Sequence, residues 1–247
     1  MLYHLRATLA VTKRVLQQLS HDPRTIAMIF IVPCALLSLL WWMFIDYKQI
    51  FDSIAPSLMA IFPLTIMFLI TSIATLRERT SGTLERVLAM PIGKLDFILG
   101  YALAFGLLAM IQALLTSFVA LNWLDLSIVG PTWFLVVVGL LDALLGMSLG
   151  LLVSAFAQNE FQAVQFMPVI IIPQLLVCGL LIPVDKMPDV LQAIAHSLPM
   201  TYAVEALQNV TREVTLSANS WRDLVIVGGS VVVAVLLGAL TLRRSSK

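Results

Sequence analysis

Six long apolar runs constrain the fold of this chain more than any other feature of its sequence. Each run has roughly 20 residues, the length that a helix needs to cross a bilayer core about 30 Å thick. Only the fourth run contains an ionisable residue, Asp142. We therefore predict an all-α integral membrane protein with six transmembrane helices. The predicted spans are residues 25–44, 55–76, 97–121, 132–157, 163–183 and 224–242.

The composition agrees with a membrane protein and argues against several other classes. Charged residues make up 12% of the chain and the mean hydropathy is +0.98, whereas about a quarter of a soluble domain is charged. The net charge of +1 argues against a nucleic-acid-binding protein. Cys34 and Cys178 have no CxxC spacing and no neighbouring histidine. The sequence therefore predicts neither a disulfide framework nor a zinc site.

The basic residues predict the orientation of the chain. If the spans alternate in direction, 11 Lys and Arg residues lie on one side of the membrane and four on the other. Because cytoplasmic loops carry the excess of Lys and Arg, we expect both termini in the cytoplasm. The four residues on the outer side are Lys48, Lys186, Arg212 and Arg222.

Two segments on the predicted cytoplasmic side carry helical patterns of their own. Residues 1–23 space leucines at helical intervals among basic side chains, which predicts an amphipathic helix on the membrane face. Residues 77–96 read RERTSGTLERVLAMPIGKLD and are dense with charge for a connection between two spans. We predict a short helix parallel to the membrane here, capped by Thr80 or Ser81 and ended by Pro91.

The outer side carries a long segment, residues 184–222, before the last span. Prolines divide it into pieces at residues 188–197 and 200–210 that are too short to cross a membrane. Backbone at membrane depth must be covered by protein or line a cavity, so we predict short re-entrant or interfacial helices. His196, in the first piece, is interpreted either as a pH-sensitive group or as a hydrogen-bonding residue at a helix end.

Two motifs resemble one known family. The pattern E-R-x-x-G-T-L-E-R at residues 78–86, followed by Met90-Pro91, resembles the coupling-helix region of ABC-2 type transporter permeases, which include drug-resistance, polysaccharide and lipid exporters. Leu181-Ile182-Pro183, Lys186-Met187-Pro188 and Leu198-Pro199-Met200-Thr201-Tyr202 look like the family's segment before its last span. The resemblance covers residues 1–247 as a single transmembrane domain. It implies a multi-pass protein of a bacterial-type plasma (inner) membrane.

The resemblance also implies partners for the chain. A separate ABC ATPase subunit would bind ATP and Mg and press on the coupling helix, and a second permease chain, identical or different, would complete the pore within the membrane lipid. The residues expected at the ATPase contact are Glu78, Arg79, Gly82, Thr83, Glu85 and Arg86.

The chain itself carries no signature of catalysis. It has no GxxxxGK[ST], GxSxG or HExxH pattern and no Cys/His cluster. We therefore predict that it is not an enzyme and holds no cofactor or metal of its own. An intramembrane enzyme is disfavoured for a further reason, since no pair of catalytic groups lies at matching depth.

A transport pathway has several candidate residues. Burying an ionised Asp142 in a bilayer costs about 2.5 to 3.5 kcal/mol, so its side chain is expected to face the bundle interior or a cavity. Prolines in a span free backbone carbonyls and kink the helix. Gly146 and Gly150 have GxxxG spacing, which suits close packing within the chain or in a dimer. The pathway candidates are Asp142, Pro168, Pro173, Pro183, Pro199 and Tyr202.

The sequence leaves the function open between several classes. The charge-poor spans favour export of a hydrophobic or amphipathic drug or lipid, as in multidrug resistance. A polysaccharide-exporting ABC-2 permease is an alternative, although aromatic residues would be expected along its channel. A second class is a proton-coupled secondary transporter that uses Asp142. A third is a membrane subunit that anchors or senses for a partner without transporting. Neither the cargo nor the identity of the second permease is fixed by the sequence.

Overall fold

A computed structural model describes residues 2–83, 86 and 93–241 of the protein. These residues form nine α-helices, a single 3-10 turn at Val184–Lys186 and no strand. The α-helices are α1 (Leu2–Ser20), α2 (Pro23–Met43), α3 (Lys48–Thr80), α4 (Lys94–Asn122), α5 (Thr132–Val153), α6 (Glu160–Val177), α7 (Asp189–Ser197), α8 (Pro199–Arg212) and α9 (Ala218–Thr241).

The predicted all-α membrane fold with six spans is confirmed. Among the described residues, α2, α3, α4, α5, α6 and α9 are long and apolar enough to cross a membrane. The start of α2 shows how the sequence defines a helix end. Asp22 caps α2, with Oδ1 accepting the Thr25 backbone N–H at 3.3 Å and Oδ2 accepting the Thr25 hydroxyl at 2.8 Å. The hydroxyl bond lowers the pKa of Asp22, and Pro23 occupies the first turn.

Helices α3 and α5 form the centre of the bundle. They touch so closely that a Cβ atom on Gly146 would lie 2.1 Å from the Leu64 carbonyl oxygen, and one on Gly150 would lie 2.5 Å from the Phe68 carbonyl oxygen. The GxxxG spacing therefore serves packing within the chain, where backbones approach because no side chain intervenes.

Helix α1 lies across the start of α4. Val11 and Val15 are buried in this contact, and a Cβ atom on Gly100 would meet the Val11 side chain at 2.6 Å. Leu5 and Leu9 point away from the bundle and are about half exposed. The predicted amphipathic helix therefore has two apolar faces, one against α4 and one exposed.

The ends of several helices differ from the predicted spans. Helix α3 continues through charged residues at both ends of the predicted 55–76, because ionic side chains that stop an apolar run do not stop a helix. Helix α5 ends at Val153 rather than 157, and α6 ends at Val177 rather than 183, although both sequences stay apolar beyond these points. Gly179, with a φ of +90°, turns the backbone just after α6.

Between α6 and α9 lie the two predicted short helices, α7 and α8. Helix α8 packs on α3, α5 and α9, and Val204 and Leu207 are buried in these contacts. Two polar contacts hold it in place. The Gln208 amide donates to the Ser57 hydroxyl at 2.9 Å, and the Gly130 N–H donates to the Val210 carbonyl at 2.9 Å. The re-entrant character of this segment stays a prediction.

Candidate functional site

The segment predicted to touch an ATPase begins where α3 ends. Thr80 is the last residue of α3 and Ser81 follows as its C-cap, so neither is the N-cap of the next helix that we predicted. Gly82 has a φ of +70°, which redirects the chain. The Arg86 N–H then donates to the Gly82 carbonyl at 3.2 Å, which is the pattern of a new helical turn. Pro91 lies outside the described residues.

Glu78 is buried at this end of α3 and faces α1. Its Oε1 accepts a hydrogen bond from Arg14 Nη2 at 2.8 Å, and only 4% of its side chain is exposed. A buried carboxylate is stabilised by such a charged partner. This geometry gives Glu78 a role in joining α1 to α3, and its predicted contact with an ATPase stays a prediction.

The other predicted coupling residues differ in exposure. Arg79 is half-buried, and Thr83 accepts or donates a hydroxyl hydrogen bond with Ser81 at 3.0 Å. Arg86 is exposed. Glu85 lies outside the described residues. The structure thus places Glu78, Arg79, Gly82, Thr83 and Arg86 at one end of the bundle, where Glu78 contacts α1.

A further ion pair at this end was not predicted from the sequence. Arg77 donates to Glu160 through Nε at 2.7 Å and Nη2 at 3.0 Å, which joins the end of α3 to the start of α6. A bidentate Arg–carboxylate pair fixes orientation as well as distance. The sequence feature that could have indicated this pair is Glu160, the lone acidic residue in the loop at 158–162, on the same predicted side of the membrane as Arg77 at the end of span two. We call the Arg14–Glu78 and Arg77–Glu160 pairs the charged clamp.

Asp142 lies in the interior of the bundle. It is on the same face of α5 as Gly139 and Gly146, the face that packs against α3, and it is fully buried. Neither carboxylate oxygen has a hydrogen-bond partner among the residues that the structure describes. This buried position fits the expectation that the Asp142 side chain faces the bundle interior. Its part in transport stays a prediction.

The remaining pathway candidates do not share one cavity in the described part of the chain. Pro168 and Pro173 are exposed on α6. Pro199 opens α8 and lines an apolar groove between α5 and α9. The Tyr202 hydroxyl donates to the His196 carbonyl at 2.7 Å, at the junction of α7 and α8. Pro183 lines a separate, polar cavity.

That polar cavity, which we call the α8 cavity, has a volume of about 400 Å³. It lies at the end of the bundle opposite the charged clamp, between α7, α8 and the start of α9. Glu205, Arg222 and Asp223 line it together with His196. The sequence prediction missed the first three residues, because they come from two helices. The sequence feature that could have indicated them is the excess of acidic residues on the predicted outer side of the membrane.

Comparison with known proteins agrees with this architecture. A sequence model of the family described as "ABC-2 type transporter" matches residues 6–211. The chain is 28% identical over 158 residues to "Probable multidrug ABC transporter permease YbhS" of Escherichia coli (strain K12), an alignment that covers 64% of this chain and 42% of that protein.

Two further relatives give the same result. "Probable multidrug ABC transporter permease YbhR" of the same organism is 25% identical over 67% of this chain and 44% of its own length. "ABC transporter G family member 20" of Dictyostelium discoideum is 24% identical over 81% of this chain and 28% of its own length. The chain spans less than half the length of these relatives. Because the family match extends over most of the chain, the protein belongs to the ABC-2 type transporter family.

Proposed function

We propose that this protein is the membrane permease subunit of an ABC transporter, which exports a hydrophobic or amphipathic drug or lipid and is driven by a separate ATPase subunit. The family match over residues 6–211 carries the proposal. The relatives named as multidrug permeases support the class of cargo. In this proposal ATP and Mg are bound by the partner ATPase, and both termini lie on its side of the membrane.

The geometry of the charged clamp supports the proposed site of ATPase contact. Arg86 is exposed just after Gly82, while Glu78 and Arg77 behind it are tied to α1 and α6. A force applied at the exposed turn would therefore reach three helices through two ion pairs. In this proposal Arg86, Gly82 and Thr83 touch the ATPase, and Glu78 transmits the contact.

The proposal is tested by asking what purifies with the chain. The tagged protein is extracted gently from native membranes, and its stoichiometric partners are identified by mass spectrometry. We expect a P-loop ATPase, lost when the exposed Arg86 is reversed by Arg86→Glu. Lys186→Glu is the matched control, because Lys186 is also exposed but lies at the opposite end of the bundle. A chain that purifies without an ATPase, or an ATPase lost equally in both variants, contradicts the proposal.

The direction of transport has its own measurement. In inside-out vesicles that contain both subunits, ATP should drive accumulation of ethidium, an amphipathic cation used here as the probe. Accumulation only in right-side-out vesicles would contradict export.

A second permease chain is part of the proposal. Helix α6 leaves an apolar face uncovered, with Phe161, Val169 and Leu176 all exposed. The two exposed prolines of α6 lie on the same helix, next to these side chains. We place the contact between two copies of the chain on this face.

Proton-coupled transport is a second candidate, favoured by the unpaired and buried carboxyl group of Asp142. An ionisable group in the interior of a membrane bundle is a functional-site hypothesis by default. Asp142→Asn keeps the shape of the side chain and removes its charge. Loss of transport driven by a pH gradient in ATP-free vesicles would favour this candidate, whereas retained ATP-driven transport in the variant would exclude it.

A further inference from the structure

The α8 cavity contains a carboxylate that the protein leaves incompletely satisfied. Asp223 is fully buried, and its Oδ1 accepts hydrogen bonds from Arg222 Nε at 3.0 Å and Nη2 at 2.8 Å. Its Oδ2 is also buried and has no hydrogen-bond partner among the described residues. Leaving a buried acceptor unpaired costs roughly 1–3 kcal/mol, and more for a charged group. Since Asp223 lines the cavity, a donor placed there would recover this cost.

A second carboxylate in the cavity competes for the same guanidinium group. Oε2 of Glu205 lies 3.9 Å from Arg222 Nη2, too far for a hydrogen bond, while that nitrogen is already bonded to Asp223. Burial and the neighbouring Asp223 both raise the pKa of Glu205. Two carboxylates therefore share one arginine, and the pair lacks a positive charge.

The other charged groups of the cavity do not supply that charge at Asp223. Asp185 and Arg212 also line the walls, and His196 is the remaining titratable group there. No ion pair within 4.0 Å joins Arg212 to Asp223 in the described part of the chain, where Arg222 holds Asp223. The cavity thus combines three carboxylates with two guanidinium groups, and the unsatisfied oxygen belongs to Asp223, one of the three carboxylates.

The chemistry of the missing ligand follows from these groups. It must carry a positive charge and donate hydrogen bonds, because Oδ2 of Asp223 is an acceptor. A metal ion is disfavoured, since no group of three or more His, Cys, Asp or Glu side chains placed to hold one occurs in the described part of the chain. A quaternary ammonium group has no N–H to donate. A primary ammonium group meets both requirements.

We propose that the α8 cavity binds a primary ammonium group, which donates hydrogen bonds to Asp223 Oδ2 and to the Glu205 carboxylate. The group comes from one of two sources, the head group of phosphatidylethanolamine or a free polyamine. A volume of about 400 Å³ accommodates either a head group or a short polyamine. The site requires neither ATP nor a partner subunit, so it stands independently of the proposed transport function.

The lipid source is tested by native mass spectrometry of the delipidated full chain in an equal mixture of phosphatidylethanolamine and phosphatidylcholine. These lipids differ in whether the head-group nitrogen carries hydrogens. The free source is tested by calorimetric titration of spermidine into the protein in phosphatidylcholine nanodiscs. Asp223→Asn and Glu205→Gln remove the charges with little change in shape. Asp125→Asn is the control, because Asp125 is an exposed carboxylate that is paired with Lys48 outside the cavity.

We expect the wild-type protein to bind phosphatidylethanolamine in preference to phosphatidylcholine, or to bind spermidine. Asp223→Asn and Glu205→Gln should each lower the affinity at least about tenfold. Asp125→Asn should leave the affinity unchanged. Preference for phosphatidylethanolamine identifies a lipid site, and spermidine binding without that preference identifies a polyamine site. If Asp223→Asn does not fold, the affinity of Glu205→Gln for the primary amine tests the proposal by itself. Absence of binding in both arms, or binding that is equal in wild type and in the folded variants, overturns the proposal.

Discussion

At the residue scale, the structure shows that charges near a membrane surface serve two different purposes. Glu78 was predicted from its motif as a contact for another protein, yet it is buried against Arg14. Arg86, eight positions later, is exposed. The motif therefore combines an internal ion pair with an exposed positive charge.

Breaking the Arg14–Glu78 pair from either side should have unequal effects. Arg14→Gln leaves a buried carboxylate without its cation, and we expect a loss of about 2 kcal/mol, or a fall in melting temperature of roughly 4–8 °C. Glu78→Gln leaves Arg14, whose side chain is 31% exposed and partly reachable by water, so its loss should be smaller. Thermal unfolding of the purified variants in detergent measures both. Equal losses would show that the pair is not anchored by the buried carboxylate.

The sequence could identify charged residues at this end but could not pair them. Arg14 and Glu78 are 64 positions apart, and Arg77 and Glu160 are 83 apart. Local patterns report helical periodicity and caps, whereas the choice of an ion-pair partner depends on how distant helices pack. The same reason explains why Glu205 and Asp223 were missed, since their neighbourhood forms only when α8 meets α9.

At the element scale, close approach of α3 and α5 depends on two glycines. The Gly146→Ala variant would place a methyl group 2.1 Å from the Leu64 carbonyl oxygen, so the two helices must separate. We expect a loss of several kcal/mol from the contacts that separation breaks, of the kind seen for overpacked cores. The measurement is the yield and melting temperature of folded protein.

The control for this prediction is Gly229→Ala in α9. A Cβ atom there meets no described atom within 4 Å, and alanine favours a helix over glycine by about 1 kcal/mol. We therefore expect no loss of stability in this variant. Similar losses in both variants would show that the loss does not arise from the contact between α3 and α5.

The number of spans was predictable because each span is a long apolar run, and hydropathy alone identifies such runs. The helix ends were not. The apolar sequence beyond Val153 and Val177 continues into the loops, while α3 continues past its apolar run into Arg77 and Glu78. Hydropathy reports the surroundings of a residue, whereas the end of a helix is decided by caps and by backbone torsions such as that of Gly179.

At the scale of the whole molecule, α6 is one of several helices whose apolar faces the described chain leaves uncovered. If two copies meet there around a two-fold axis, the same patch contacts itself, and residues close to the axis approach their own copies across the interface. Val169 is 69% exposed on this face.

Cysteine cross-linking in membranes tests this arrangement. In a background of Cys34→Ser and Cys178→Ala, we expect Val169→Cys to form a disulfide-linked dimer on mild oxidation. Val232→Cys on α9 is the control, because Val232 is similarly exposed on a different helix. Cross-linking of the control but not of Val169→Cys would place the interface on α9 instead.

The length of α3 has a mechanical consequence for the molecule. Its 33 residues, among them Pro56 and Pro63, span about 50 Å of helical rise, which exceeds the thickness of the bilayer core. One end carries Glu78, and Ser57, the residue that holds α8, lies between the middle of α3 and its other end. If the helix pivots by about 5° at its middle, Glu78 moves by about 2 Å and Ser57 by about 1 Å in the opposite direction, given the helical rise. The first displacement is enough to break a hydrogen bond and the second is enough to weaken one, so a small tilt of α3 would alter contacts with α1 and with α8 at once.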